Sequence, residues 1–163
     1  MMTFETDEII SRLDRSYSRR VKKYDHSDVN ECSSFQVLHG MKGFEVWFLP
    51  EVTNYDDCLS KLNPDDVVFD VGAGDLRFDL IMAEKVRKVY AVEINPKILA
   101  GALRIIGYDM PENLTVICGN AFTMELPGDV TAVTCLMIHR KHEFPDSWKK
   151  CRMISTDSVM KTG

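Results

Sequence analysis

Four short stretches carry residue types suited to gripping a nucleoside. Asp70-Val71-Gly72-Ala73-Gly74-Asp75 ends an apolar run. Gly72 and Gly74 allow a tight turn and let the backbone approach a ligand with no side chain between. A G-x-G on its own reads at least as readily as a structural turn. Glu93 closes the next apolar run, and a carboxylate there accepts hydrogen bonds from both hydroxyls of a ribose; taken alone it reads as a solvated strand end. In Gly119-Asn120-Ala121 the Asn side chain suits the edge of an adenine ring, with Ile94 or Phe122 against the ring face. The same Asn suits an Asx turn. His139, in Met137-Ile138-His139-Arg140, is a candidate base or substrate contact because imidazole titrates near neutral pH, although a surface His at a strand end is the plainer reading. His139 and His142 have no further ligands clustered with them, so no metal is expected.

The elements needed to present these residues are legible around them. Val67 to Val71 reads as a strand buried on both faces, of the parallel-sheet kind. Leu76 to Val86 reads as a helix and Lys88 to Ile94 as a second strand. Asn95 and Pro96 then supply a cap and a first helical residue, followed by the stripe Ile98, Leu99, Ala102, Leu103 and Ile106. Leu114–Cys118 and 130–138 read as the third and fourth strands. A helix around 145–151 leads to a fifth strand, Arg152–Ser155. Strands alternating with helices imply right-handed crossovers and a doubly wound, mostly parallel α/β sheet.

Upstream, Ile10, Leu13, Tyr17, Val21 and Tyr24 form one face of an opening helix flanked by Arg12, Arg15, Arg19, Arg20, Lys22 and Lys23. Such a basic flank is most simply a wet helix face, and otherwise steers an acidic partner. Phe35–Leu38 and Phe44–Leu49, parted by Gly40-Met41-Lys42-Gly43, suggest a hairpin. A short helix is expected over 56–62. The expectation is a single domain, 1–163, with an N-terminal helix-and-hairpin elaboration over 1–62 and the ligand-binding core over 63–163.

From about Val67 to Ile138 the chain resembles the class I, Rossmann-like S-adenosylmethionine-dependent methyltransferases. The resemblance rests on VVFDVGAGDL, VYAVEINPKIL and CGNAF in the family's order and spacing. It implies a cofactor site built from Asp70, Gly72, Ala73, Gly74 and Asp75 against the methionine part, Glu93 on the ribose, and Ile94, Asn120 and Ala121 around the adenine. It also implies transfer of a methyl group, with RNA or protein slightly favoured over a small molecule as acceptor. The alternative is an inactive module that binds the cofactor or a partner. Several departures stand out. A third glycine common in the family is Leu76 here, and the adenine-binding residue, often Asp, is Asn120. Only about five strands fit where the family normally has seven. Either the core is short at its C-terminal part, or the 35–49 hairpin fills the missing edge. No Asn-Pro-Pro-Tyr-like tetrad follows the fourth strand, which argues against methylation of base amino groups.

A nicotinamide dinucleotide fits less well, since Gly74 is followed by Asp75, Leu76 and Arg77 with no third Gly or Ala. Asp75 repels a pyrophosphate and suits a sulfonium or ammonium. Methyl transfer is a direct displacement, so alignment supplies most of the acceleration and no catalytic residue is obligatory. Glu93→Ala is accordingly expected to weaken cofactor binding with little loss of stability.

Composition sets the outer bounds. The 163 residues are 45% hydrophobic and 28% charged, as in an ordinary globular domain. No secretory signal and no membrane span are legible. Five cysteines with no paired spacing fit a reducing cytoplasm rather than a disulfide framework. The formal charge of −5 argues weakly against a protein that coats nucleic acid. A second basic cluster, Arg140-Lys141 and Lys149-Lys150 with Arg152, is expected near the mouth of the site. Oligomeric state is not legible.

Overall fold

The computed structural model describes residues 4–18, 52–136 and 144–155. The hairpin expected over 35–49 and most of the basic helix flank lie outside them. Helix α1 (Phe4–Ser18) and helix α2 (Val52–Ser60) precede strand β1 (Val67–Val71). Then follow α3 (Arg77–Lys85), β2 (Lys88–Glu93), α4 (Pro96–Ile106), β3 (Leu114–Cys118), β4 (Ala132–Cys135) and β5 (Arg152–Ser155). A 3-10 turn, Asp146–Lys150, stands where a helix is expected before β5.

The five strands form one sheet in the order β3-β2-β1-β4-β5, and every neighbouring pair is parallel. The chain winds outward from β1 to β3, crosses back, and winds outward again through β4 and β5. The sheet is thus a doubly wound α/β sheet whose direction reverses at β1/β4, and ligands sit beyond the carboxyl ends of strands at such a reversal.

Period-two alternation divides the apolar side chains between two cores. Val68, Val89, Ala91, Ala132 and Ile154 pack beneath α1 to α4 with Leu13, Leu80, Leu99 and Ile106. Val67, Phe69, Val92 and Val133 face the other way, onto Trp148, Ala121, Leu126 and Val130. The described cover on that second face consists of loops and the 3-10 turn. Trp148 is its anchor, 1% exposed, with ring centroids 6.1 Å from Phe69, 5.3 Å from Phe122 and 5.4 Å from Phe144.

Local chemistry fixes the element ends. The Asn95 carboxamide oxygen accepts from the Lys97 amide at 3.0 Å and the Ile98 amide at 3.5 Å, with Pro96 opening the helix, so α4 starts as its sequence predicts. Of the predicted stripe, Leu103 is 39% exposed and its other members are buried. On α1, Ile9 and Leu13 are buried, Thr6 donates to Glu84 at 2.8 Å, and Arg12 pairs with Asp109 at 2.7 Å. These contacts seat α1 over α3 and the end of α4.

Candidate functional site

At the end of β1 the chain turns at once over β2. The amides of Gly72 and Ala73 both donate to the Val92 carbonyl, at 2.9 and 3.0 Å. The turn carries Gly72 to φ +74° and Gly74 to φ +62°, a region side chains disfavour. A Cβ on Gly72 would meet nothing within 4 Å. Backbone conformation, not crowding, therefore calls for glycine there, and the space beside it is open.

Glu93 ends β2 and is buried, 8% exposed. Its Oε1 accepts from the Gly74 amide at 2.8 Å and its Oε2 from the Asn95 amide at 2.9 Å. One carboxylate thus ties the glycine loop to the start of α4. Each oxygen keeps a second lone pair, so the group remains an acceptor for ligand hydroxyls. Its framework role is larger than the sequence suggested, and the expectation that Glu93→Ala spares stability is corrected: truncation strands two buried N–H groups.

Asp75 is fully buried. Arg77 grips it through Nε, at 3.1 and 2.9 Å, and through a terminal nitrogen at 2.7 Å, while Asp75 Oδ1 also accepts the Arg77 amide at 3.2 Å. Its charge is engaged by Arg77 and the first turn of α3, where the sequence reading set it against a cationic ligand. The loop amides are likewise occupied: Gly72 and Ala73 by Val92, Gly74 by Glu93, Leu76 by Ala73, and Arg77 by Asp75. A pyrophosphate site presents such amides and the helix N-terminus to its ligand. This loop turns them inward and puts a carboxylate at the helix start, so it suits a cationic or neutral nucleoside and disfavours a dinucleotide.

Leu76 stands at the third-glycine position with φ +70°, although no part of it is exposed. A buried leucine in a left-handed conformation is strained by roughly 1–2 kcal/mol, and here burial of the side chain offsets the strain.

Asp70 is 4% exposed and accepts a 2.6 Å hydrogen bond from the Thr134 hydroxyl on β4. Burial pushes its carboxyl up to about 6; the neighbouring Asp79 carboxyl and the Thr134 hydrogen bond oppose the rise and the charge of Glu93 adds to it. Asp70, Glu93 and Thr134 project from the same sheet face at the carboxyl ends of adjacent strands. Thr134 and Asp79 escaped the sequence reading. The alternation of β4 places Thr134 on the face of Asp70, and that was the available signal.

The loop after β3 lies alongside, its Gly119 amide bonded to the Glu93 carbonyl at 3.0 Å. Asn120 is exposed, and its side-chain oxygen accepts the Phe122 amide at 3.0 Å, which is the Asx turn. Ala121 is buried, while Ile94 and Phe122 stay partly open at 54% and 37%. His139 and the Arg140-Lys141 pair lie outside the described residues.

The other half of the second basic cluster is not at the mouth. Arg152 opens β5 and its guanidinium bonds Asp66, just before β1, and the Lys61 carbonyl. Lys149 pairs with Asp146 at 2.8 Å in the preceding turn. In a parallel sheet, residues entering a strand lie at the amino edge, opposite the glycine loop. Asp66 is pushed up by burial, but the Asn63 amide, Arg152 and Thr131 together hold it below its ordinary value.

Among the described residues no helix is long and apolar enough to cross a membrane, and no group of three or more His, Cys, Asp or Glu gathers as a metal site. No protein-family model matches the chain. A probable ribosomal RNA small subunit methyltransferase A from Methanosarcina barkeri is 32% identical over 95 residues, covering 55% of this chain and 32% of the relative. The chain spans about a third of the length of these curated relatives. Among solved structures, M. jannaschii TYW2 in complex with AdoMet superposes with a TM-score of 0.56 at 22% identity, over 67% of this chain and 51% of that one. Trm5b from Pyrococcus abyssi gives 0.50 at 25% identity, over 61% and 30%. The described core thus has a Rossmann-like, doubly wound fold similar to that of TYW2, and over about half of its length its sequence is similar to part of the ribosomal RNA methyltransferase relatives.

Proposed function

We propose that the chain binds S-adenosylmethionine across the carboxyl ends of β1, β2 and β3 and transfers its methyl group to RNA. The observation that carries the cofactor reading is the glycine loop with its amides satisfied from within and tied to Glu93. The loop leaves open space beside Gly72 and offers carboxylate acceptors rather than anion-binding amides. In this reading Gly72, Ala73 and Gly74 shape the bed for the methionine part, with Asp70 and Asp75 fixing the loop from below. The free lone pairs of Glu93 take the ribose hydroxyls. Ile94 and Phe122 flank the base, and the Asx turn at Asn120 and Ala121 sets its edge.

Bound there, S-adenosylmethionine supplies a methyl group already activated for displacement. The protein's own residues hold the nucleoside still and keep the acceptor side clear, and alignment of that kind is worth roughly 7–11 kcal/mol. The segment after β4, with His139, is assigned to the acceptor. Support for RNA comes from the relatives, whose names specify ribosomal RNA. The free cysteines Cys58, Cys118, Cys135 and Cys151 accord with a cytoplasmic setting.

Isothermal titration with S-adenosylmethionine and S-adenosylhomocysteine tests the site, and binding of both is expected. No heat at millimolar ligand would refute it. Transfer is tested with methyl-labelled cofactor against pools of RNA, protein and small molecules. Label in RNA is expected; label confined to protein or to small molecules overturns the acceptor assignment, and label in none favours a binding module.

A further inference from the structure

Among the described residues the sheet has two outer strands, β3 and β5. On β5 the Arg152 amide donates to the Thr131 carbonyl at 3.0 Å, and Arg152 stands opposite Ala132, Met153 opposite Val133. Ladder bonds alternate sides along a strand, so Met153 and Ser155 turn their N–H and C=O groups to the outer edge. The Met153 side chain is 37% exposed. An edge of this kind is a template for another strand.

Helix α2 says which edge is filled and from where. Its Tyr55 and Cys58 share the core of Val68, Ala132 and Ile154, so it covers the same sheet face as α3. Just past its end the Lys61 carbonyl accepts from the Arg152 guanidinium at 3.2 Å, at the amino edge of β5. Near its start Tyr55 stacks on Phe78, in the first turn of α3, with centroids 4.6 Å apart. That turn follows the glycine loop and lies at the carboxyl edge. Helix α2 therefore runs antiparallel to the strands. Its nine residues rise about 13 Å, which matches the about 13 Å spanned by the four residues of β5. The chain enters α2 at the carboxyl edge and leaves it at the amino edge, ready to begin β1.

Handedness then selects the edge. The crossover from β1 through α3 to β2 runs on this face toward β3. A strand joined to β1 through α2 on the same face is right-handed only if it lies on the β5 side of β1, and nearly all such crossovers are right-handed. On that side β4 and β5 hold the inner places, so the outer edge of β5 is the open one. Two residues before α2, separated from it by Pro50 and Glu51, ends the run Phe44-Glu45-Val46-Trp47-Phe48-Leu49. Two residues is an ordinary strand-to-helix loop. Five of the six residues are apolar, the composition of a strand covered on both faces. The run itself lies outside the described residues.

We infer that the outer edge of β5 is the docking surface for residues 44–49 of the same chain, laid parallel to β5, so that the run, α2 and β1 make one βαβ unit. The N-terminal part of the chain then belongs to the sheet, and Pro50-Glu51 borders the mouth on the β4–β5 side, where the acceptor is assigned. The pairing does not rest on the cofactor reading.

The test is nuclear magnetic resonance of the isotope-labelled full chain. Backbone contacts are expected between Met153 or Ser155 and residues 44–49, with both numbers rising together as in a parallel pair. Contacts in the opposite order, contacts to 35–38 alone, or none from 44–49 overturn the inference. A mixture of labelled and unlabelled chains separates a second copy: contacts between molecules at β5 overturn it as well. Hydrogen exchange gives an independent reading. The Met153 and Ser155 amides are expected to be protected, and Val46→Pro should abolish that protection while Phe69 and Val133, in the middle of the sheet, stay slow. Unprotected Met153 and Ser155 in wild type, or protection that survives Val46→Pro, overturns the pairing. If Val46→Pro frees every amide, the wild-type contacts decide.

Discussion

Removing the Glu93 carboxylate should destabilise the fold and weaken the nucleoside site through the same two hydrogen bonds. The Gly74 and Asn95 amides it accepts are both buried and lie on opposite sides of the β2 end. Stranding a buried donor costs about 1–3 kcal/mol. Water entering from the open side of the loop recovers part of that, so Glu93→Ala should lose about 2–4 kcal/mol. A domain of this size has roughly 5–15 kcal/mol in total, and its melting temperature moves about 2–4 °C per kcal/mol. A fall of about 5–15 °C follows.

Glu93→Gln separates the two roles. It keeps the side-chain volume and one acceptor, but sets an amide NH₂ against a backbone N–H. It should therefore lose less stability than Glu93→Ala while still binding S-adenosylmethionine more weakly. Denaturant melts followed by circular dichroism give the first quantity, and calorimetry at a temperature where each variant is folded gives the second. If Glu93→Ala melts within about 0.5 kcal/mol of wild type, the carboxylate is not a structural tie. If Glu93→Gln binds as wild type does, the ribose assignment is wrong.

Three further outcomes are expected. Leu76→Gly should be at least as stable as Leu76→Ala: both open a cavity costing about 2–5 kcal/mol, but glycine relieves the left-handed strain of roughly 1–2 kcal/mol. The usual order, alanine above glycine, in chemical denaturation would show that φ +70° carries no strain. Asp66→Asn should cost about 1–3 kcal/mol at pH 7 by weakening the bonds from Asn63, Thr131 and Arg152. Asp66 is held below its ordinary value, so its contribution is present above about pH 4 and is lost as pH falls through the folded value. Melts of the two proteins should converge in acid, and a constant gap would sink the assignment. The Asp70–Asp79 pair has the opposite sign. Both carboxyls are raised by burial, Asp70 to about 6 and Asp79 well above its ordinary value. Their contribution is whole below about pH 4 and declines as pH rises through the folded values. Asp79→Asn should flatten the alkaline part of that decline, and an unchanged profile would contradict it.

What was legible in the sequence follows a physical division. Strands β1 and β3 were readable to the residue, because β1 is buried on both faces and β3 is bounded by turn chemistry. Helix α4 was readable because Asn95 and Pro96 act locally, and the parallel, doubly wound character of the sheet followed from strand–helix alternation, whereas its strand order was not read. The fourth strand stops at Cys135, short of the predicted 138, and an apolar run alone does not say where pairing ends. The site divides in the same way. Glycines at φ +74° and +62° announce a turn from sequence, because the demand is on one residue's backbone. The partners of Asp75 and Asp70 are Arg77, two positions on, and Thr134, sixty-four positions on. Nothing in the spacing distinguishes a carboxylate held by an arginine from one waiting for a ligand. The misplacement of Lys149, Lys150 and Arg152 has a related cause. These basic residues were expected near the mouth, but Arg152 enters β5, and entry residues in a parallel sheet lie at the edge opposite the mouth. Charge in this fold must therefore be assigned by position within a strand before it is assigned to a ligand. By that criterion Asp70 and Glu93, at or next to the carboxyl ends of β1 and β2, are the acidic groups on which recognition of a cation can rest.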